Sequence, residues 1–433
     1  MSTIFIVFLL APFCFFASRL VQRGVARTWV TRFAIWWSLL LCISSLNPFG
    51  INGIEWGVYF LFFVFIASYV IAFSSAFGRK PVAQPQIASL LTSYDATMNS
   101  RVTVSVLLVS AAILSYYCIK YFNFIEISGL GESRSAKYEI GKIFTSGVEF
   151  AAFNYLVVGV VWWAKFLLSF GVVFGRVKSF SWLLALVVCV LYLAFGAGRN
   201  IAVEIAVIMI FLNSIRKFSG EGARSGKWIF LVMAFLYLLS VYATASRMTL
   251  ANEIDLSSFL AANNTFVEQA ILYCVGAFRA FQFAYQNYDA VIGYQFGRLT
   301  LGGFDEIFSY LIKMAGATGD PAVWRVGALL GDEIDIGGGN DFNALYTAVF
   351  SFYYDFGVAG VILFGSFFGA LSAVMLRKFL ISWSMRYIFI SSIFFMSAIL
   401  SPLTWKLQSG ALIIVLLCAG IRVRFAGRVG SGF

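Results

Sequence analysis

The chain contains no histidine. That removes the commonest general base, the commonest metal ligand and every histidine-dependent nucleophilic triad. Charge is scarce too. Only 12% of the 433 residues are Asp, Glu, Lys or Arg, against about 25% in an ordinary soluble domain. Soluble globular, disordered and secreted disulfide-rich readings are therefore poor. Proline is rare, at six residues, and no Pro-rich linker, low-complexity tract or fixed-period repeat divides the chain. The six cysteines, Cys14, Cys42, Cys118, Cys189, Cys274 and Cys418, lie mostly inside apolar runs without a CxxC pair. They read as small buried hydrophobes, not as disulfides or a zinc site. No phosphate-binding GxxxxGK[ST] loop and no dinucleotide fingerprint in context occurs, so neither a nucleotide cofactor nor any other is expected.

What is abundant is apolar. Hydrophobic residues make up 61% of the chain and aromatics 18%, with 48 Phe. Apolar runs fall at 3–18, 33–46, 54–77, 102–122, 149–173, 180–196, 200–215, 228–244, 345–376, 387–403 and 407–421. The expected fold is all-α: a polytopic transmembrane bundle of about eleven spans in one integral membrane domain, 1–433. The first run has no positive charge before it, and Arg19, Arg23, Arg27 and Arg32 follow it. It reads as a first helix with its N-terminus outside, not as a cleavable signal.

Eleven passes put 19–32, 78–101, 174–179, 216–227, 377–386 and the C-terminal 422–433 in the cytoplasm. These segments hold 19 basic residues and only two acidic ones, Asp95 and Glu221. The net charge of +11 is thus a positive-inside signature rather than a nucleic-acid groove. The Gly365–Gly369 and Gly171–Gly175 pairs fit close helix packing.

On the outer side, 123–148 reads as a polar loop. A much larger outer loop, 245–343, carries 11 of the 20 acidic residues against five basic ones; a loop of this length is usually functional. Within it, 266–286 has helical periodicity broken by Glu268, Gln269, Arg279, Gln282 and Gln286. An amphipathic or re-entrant outer helix is the preferred reading. A spanning helix there raises the count to as many as thirteen.

Charges near the membrane are functional suspects by default. Arg199 opens a helix in FGAGRNIAVE, Arg247 follows a span in YATASRMTL, and Arg279 lies in the amphipathic segment. Outer arginines run against the positive-inside bias, and their forked donors suit phosphate. Each can instead pair with a loop carboxylate or a headgroup. Glu204 is a candidate partner holding Arg199, and Lys165 is expected to snorkel or to pair within the bundle. The run GDEIDIGGGNDFN, with Asp332, Glu333, Asp335 and Asp341, reads first as a solvated acidic loop and second as a cation site or a source of a base. Asp355, inside an apolar segment, is read as a cap of the helix that follows, or else as a cavity-lining group. Tyr346, Tyr353 and Tyr354 can stack on sugar rings.

Three segments carry a resemblance: GAGRN at Arg199; TASRMTL followed by the long outer loop; and NALYTAVFSFYYDFGVAGVILFGSFFGAL at 343–371. In this order and spacing the chain resembles bacterial oligosaccharide repeat-unit polymerases, the Wzy-type O-antigen and exopolysaccharide polymerases. The resemblance implies an inner-membrane glycosyltransferase of lipopolysaccharide or polysaccharide biosynthesis. Its substrates would be undecaprenyl-pyrophosphate-linked oligosaccharides at the periplasmic face, and a chain-length regulator a possible partner. Arg199, Arg247 and Arg279 would clamp the pyrophosphate. One of Glu268, Asp341 or Asp355 would orient the acceptor hydroxyl, and Glu204, Tyr346 and Tyr353 would contribute to binding. Arginines can stabilise a departing pyrophosphate without a metal. The alternatives are a flippase or transporter of lipid-linked glycans, a non-catalytic assembly subunit, and an O-antigen ligase. The related ligases use a histidine that this chain lacks.

Overall fold

The computed structural model describes residues 24–78, 86–136, 141–196, 200–220, 229–235, 237–238, 241, 256–316, 319–330, 334–342 and 347–421. In chain order the helices are α1 (Val25–Ser45), α2 (Trp56–Phe77), α3 (Ile87–Met98), α4 (Arg101–Ala136), α5 (Gly147–Phe174), α6 (Phe180–Gly196), α7 (Asn200–Phe218), α8 (Leu256–Asn287), α9 (Gly302–Met314) and α10 (Ala322–Leu330). A two-residue hairpin follows, β1 (Ile334–Asp335) and β2 (Asp341–Phe342), antiparallel with Asp335 opposite Asp341. Then come α11 (Ala348–Ser382), α12 (Met385–Leu400) and α13 (Gly410–Ile421). This hairpin is the only strand pairing among the described residues.

Four of these elements are long and apolar enough to cross a membrane: α2, the first two-thirds of α4 (Arg101–Phe124), α5 and α11. Segments of α6, α12 and α13 are shorter apolar helices. The expected run 3–18 lies outside the described residues, and 228–244 is described only in part.

Several boundaries differ from expectation. Segment 123–148 is not simply a loop, because α4 continues unbroken to Ala136; nothing in 123–136 is a proline, and two glycines do not stop the helix. Helix α1 starts at Val25, so Arg27 and Arg32 ride on a helix rather than in a connection. Segment 78–101 holds α3, an amphipathic helix that buries Leu90, Tyr94 and Met98 at i, i+4 and i+8. The amphipathic segment 266–286 forms, and extends back to Leu256. Local chemistry accounts for some ends: Ser146 Oγ caps the Glu149 N–H at the start of α5, while the Glu149 carboxylate reaches back to the Thr145 N–H.

The described chain divides into two compact units. The first comprises the chain up to Gln84, Gln269–Ser382 and Ile393–Ile413. Its core is α2 against α11. Tyr69 sits 4.1 Å from Phe33 in a stacked pair and 5.3 Å from Phe368, and its hydroxyl accepts from Trp29 Nε1 at 3.0 Å. Gly369 makes that approach possible: a Cβ there would lie 2.3 Å from the Tyr69 carbonyl oxygen. The second unit comprises Pro85–Glu268, Trp383–Ser392 and the chain from Ile414. There Tyr94 stacks on Phe170 at 4.4 Å and donates to the Leu167 carbonyl. Gly171 lies against Trp182 and Tyr94, as close packing expects, whereas Gly175 ends α5.

Candidate functional site

The site is built in the first unit where three segments meet: the 47–55 connection, the second half of α8, and the hairpin. A small apolar core joins them, with Ile51, Val275, Ala280, Ile334, Ile336 and Phe342 all buried. Hydrogen bonds add to it. Asn52 N–H donates to the Ile336 carbonyl at 2.9 Å, and Asn340 Nδ2 donates to the Phe49 carbonyl at 3.2 Å. The turn Gly337–Gly339 approaches 47–55 so closely that a Cβ on Gly338 would stand 2.3 Å from the Phe49 carbonyl oxygen. Its left-handed backbone (φ +69°) suits glycine as well. The acidic GDEIDIGGGNDFN run is therefore, over its described part, a packed hairpin and not a free solvated loop.

Arg279 projects from α8 at this junction. Burial disfavours the charge on its guanidinium, while the carboxylates of Glu55 and Asp335 favour it. Its Nε is buried and has no hydrogen-bond partner among the described residues. Glu55 stands at the N-terminus of α2 and is held from α8: its backbone N–H donates to Gln282 Oε1 at 2.8 Å, and its carboxylate accepts from Gln286 Nε2 at 2.5 Å. Arg279, Gln282 and Gln286 follow i, i+3, i+7 spacing and share one face of α8. Asp335 spends one oxygen on the Gly337 N–H at 2.7 Å. Another face of α8 carries Phe281 and Tyr285, which contact the Tyr353 ring at 5.9 and 5.4 Å. Tyr353 of α11 thus packs on the Phe281–Tyr285 face of α8, turned well away from Arg279 around the helix.

Asp355 has a different place from the one its sequence context suggests. Helix α11 bends at Phe356–Gly357, and Asp355 sits fully buried just before the bend. Its two oxygens accept from Leu299 N–H (3.1 Å) and Thr300 N–H (2.6 Å). Beside it, the Tyr354 carbonyl accepts from Gln295 N–H. Asp355 therefore caps the 297–301 turn that leads into α9, rather than the helix that follows it. The reason is supply: that turn offers two buried donors, and a buried donor without an acceptor is costly.

Glu204 belongs to the second unit. Its carboxylate lies 2.5 Å from Lys165 Nζ, with both side chains almost completely buried. Lys165 Nζ also lies 3.7 Å from the Trp162 ring centroid. Glu204 thus holds Lys165, in keeping with the expectation that Lys165 pairs within the bundle. Glu268 is on the exposed surface of α8. Asp341 lies in β2 opposite Asp335. Arg199, Arg247 and Tyr346 fall outside the described residues. Among the described residues no group of three or more His, Cys, Asp or Glu can hold a metal ion.

The residue that sequence reasoning missed is Glu55. A signal existed: it is the sole charged residue between the apolar runs 33–46 and 54–77 together with their short connection. Asp335 was visible only as one of an acidic run. Chemically, a guanidinium with donors to spare beside an accessible carboxylate can bind an anion and accept a proton from a hydroxyl next to it.

Comparison of the chain with family models, with curated proteins and with solved structures finds no match in any of the three.

Proposed function

We propose that the chain is a membrane glycosyltransferase that polymerises undecaprenyl-pyrophosphate-linked oligosaccharide repeat units at the periplasmic face of a bacterial inner membrane. The observation that carries this reading is that Glu55 is held against the α8 face bearing Arg279, its backbone N–H by Gln282 and its carboxylate by Gln286. The resemblance over 196–371 and the charge asymmetry of the loops add to it. So does a bundle reading of about eleven spans, with the N-terminus periplasmic and the C-terminus cytoplasmic.

In this reading Arg279, with Arg199 and Arg247, draws charge from the pyrophosphate as it leaves. The acceptor hydroxyl oxygen forms a bond to the anomeric carbon. The bond from that carbon to the pyrophosphate oxygen breaks, and undecaprenyl pyrophosphate departs with the electron pair. The hydroxyl proton passes to a carboxylate. Glu55 is assigned that role, since Asp355 spends both oxygens on backbone donors. Tyr353 contributes an aromatic wall against a sugar ring.

The test is glycan banding after deletion of the gene and its restoration as wild type, Arg279→Ala, Arg279→Lys or Glu55→Gln. The expected result is collapse of the ladder to a single capped repeat unit in the deletion and in each variant, with the variants present in the membrane at the wild-type level. Lysine fails because it lacks the forked donors. A wild-type ladder with Arg279→Ala would remove Arg279 from the chemistry. Loss of all surface repeat units on deletion would point to a flippase or a ligase. The buried Lys165–Glu204 pair is the feature a transporter would use.

A further inference from the structure

Helices at a protein surface normally turn polar residues outward, as α3 does with Ser89 and Thr92. Helix α9 is the reverse. Together with Leu301 just before it, its outward stripe is Phe304, Phe308, Leu311 and Ile312, with Phe308 60% exposed. Spacing of i, i+3, i+7, i+10 and i+11 from Leu301 makes this one continuous apolar face. Asp305, Glu306 and Ser309 of α9 turn inward. Asp305 accepts from Arg298 Nε at 2.7 Å and from the Ala322 N–H at 2.6 Å. Glu306 accepts from the Gly410 N–H at 2.8 Å, and Ser309 is buried. The orientation is thus locked from inside, and the exposed apolar face is not a consequence of loose packing.

Two further observations say what covers that face. First, the apolar surface runs on into a helix that can cross a membrane. Phe296, 73% exposed, contacts Phe356 of α11 at 6.0 Å, and Val358, Ile362, Leu363 and Phe367 continue the exposed apolar side along α11. Helix α9 is also fixed to the ends of apolar helices. Gly303 sits against Ser409 and Ile413, and Trp405 Nε1 donates to the Thr300 carbonyl. Second, the far end of α9 carries interface chemistry. Lys313 pairs with Asp320 at 2.6 Å and lies 5.9 Å from the exposed Trp324 ring. Lysine and tryptophan at the edge of an apolar face mark the headgroup level of a bilayer.

We infer that α9 is a monotopic membrane element: its Phe304–Phe308–Leu311–Ile312 face lies in the acyl region of one leaflet, with Lys313 and Trp324 at the headgroups. This holds whatever reaction the chain catalyses.

The test uses the full chain in vesicles of phosphatidylethanolamine and phosphatidylglycerol. A nitroxide is placed by Phe308→Cys or Leu311→Cys, with Ser89→Cys as reference, in a background whose native cysteines are serine. Collision with oxygen is expected to exceed collision with a water-soluble nickel chelate at 308 and 311, and the order to reverse at 89. Access of the chelate to 308 would overturn the inference. Protection from both reagents would overturn it too, in favour of a protein partner or a second copy on this face. A photoreactive p-benzoylphenylalanine at 308 in the chain with its native cysteines gives an independent reading. Phospholipid adducts support membrane contact, and protein adducts alone refute it.

Discussion

Two buried carboxylates in this chain do structural work of opposite kinds. Asp355 satisfies backbone donors, whereas Glu204 neutralises a lysine. Asp355→Asn retains one acceptor oxygen for two N–H groups, and leaving one unmet costs about 1–3 kcal/mol. The expected outcome is a lowered unfolding temperature in detergent, with glycan polymerisation reduced only in step with the amount of folded protein. Activity lost at wild-type stability would instead place Asp355 at the chemistry. For Glu204 the asymmetry is sharper. Removing one partner of a buried ion pair costs about 3–5 kcal/mol, whereas replacing both by apolar groups is often neutral. Glu204→Leu is therefore expected to deplete the protein from the membrane, and Lys165→Met with Glu204→Leu to restore it. A double variant as poor as the single one would show that Glu204 serves more than Lys165. Immunoblotting of membranes distinguishes the two.

At the scale of elements, the sequence is most legible where composition alone decides. The apolar runs 54–77, 149–173 and 180–196 become α2, α5 and α6 almost residue for residue, because nothing inside them can stop a helix. The periodic segment 266–286 becomes the C-terminal two-thirds of α8 for the same reason. Elements set by tertiary contacts were not legible. The hairpin at 334–342 follows from the fit of Gly338 against 47–55, and Glu55 meets the Arg279 face of α8 through Gln282 and Gln286, which lie 227 and 231 residues away in the chain. No local pattern encodes such a pairing. The α2–α11 contact lies between these cases: the Gly365–Gly369 pair is visible, but not its partner. The two glycines are predicted to differ. A Cβ at 365 meets the edge of the Phe65 ring at 3.1 Å, which can shift, while one at 369 meets the Tyr69 carbonyl oxygen at 2.3 Å, which is fixed in a helix. Gly369→Ala should thus cost at least the roughly 1–3 kcal/mol of an overpacked core, and Gly365→Ala clearly less. Thermal unfolding of the two purified variants checks the order; equal losses would mean that α11 slides to absorb both.

At the scale of the whole molecule, the arrangement of charge ties fold to proposed function. The segments read as cytoplasmic hold 19 basic residues and two acidic ones, while 245–343 holds 11 of 20 acidic residues. Basic residues resist translocation during insertion, whereas acidic ones contribute little to orientation. On the proposed topology the chain inserts with 216–227 inside and 245–343 outside, and Glu55, Arg279 and Asp335 would lie together on the outer side. A glycan already flipped on its lipid carrier can reach that side, whereas a sugar nucleotide cannot. The prediction is concrete. Alkaline phosphatase, which folds only outside the cytoplasm, should be active when fused after Gly316, in the exposed turn that follows α9, and inactive when fused after Gly220, at the end of α7. A fluorescent protein that matures only in the cytoplasm should give the opposite pattern at the same two points. If both reporters agree on a cytoplasmic 316, then α8 crosses the membrane, Glu55 and Arg279 face nucleotide-bearing rather than lipid-linked donors, and the polymerase reading fails on access alone, before any question of chemistry.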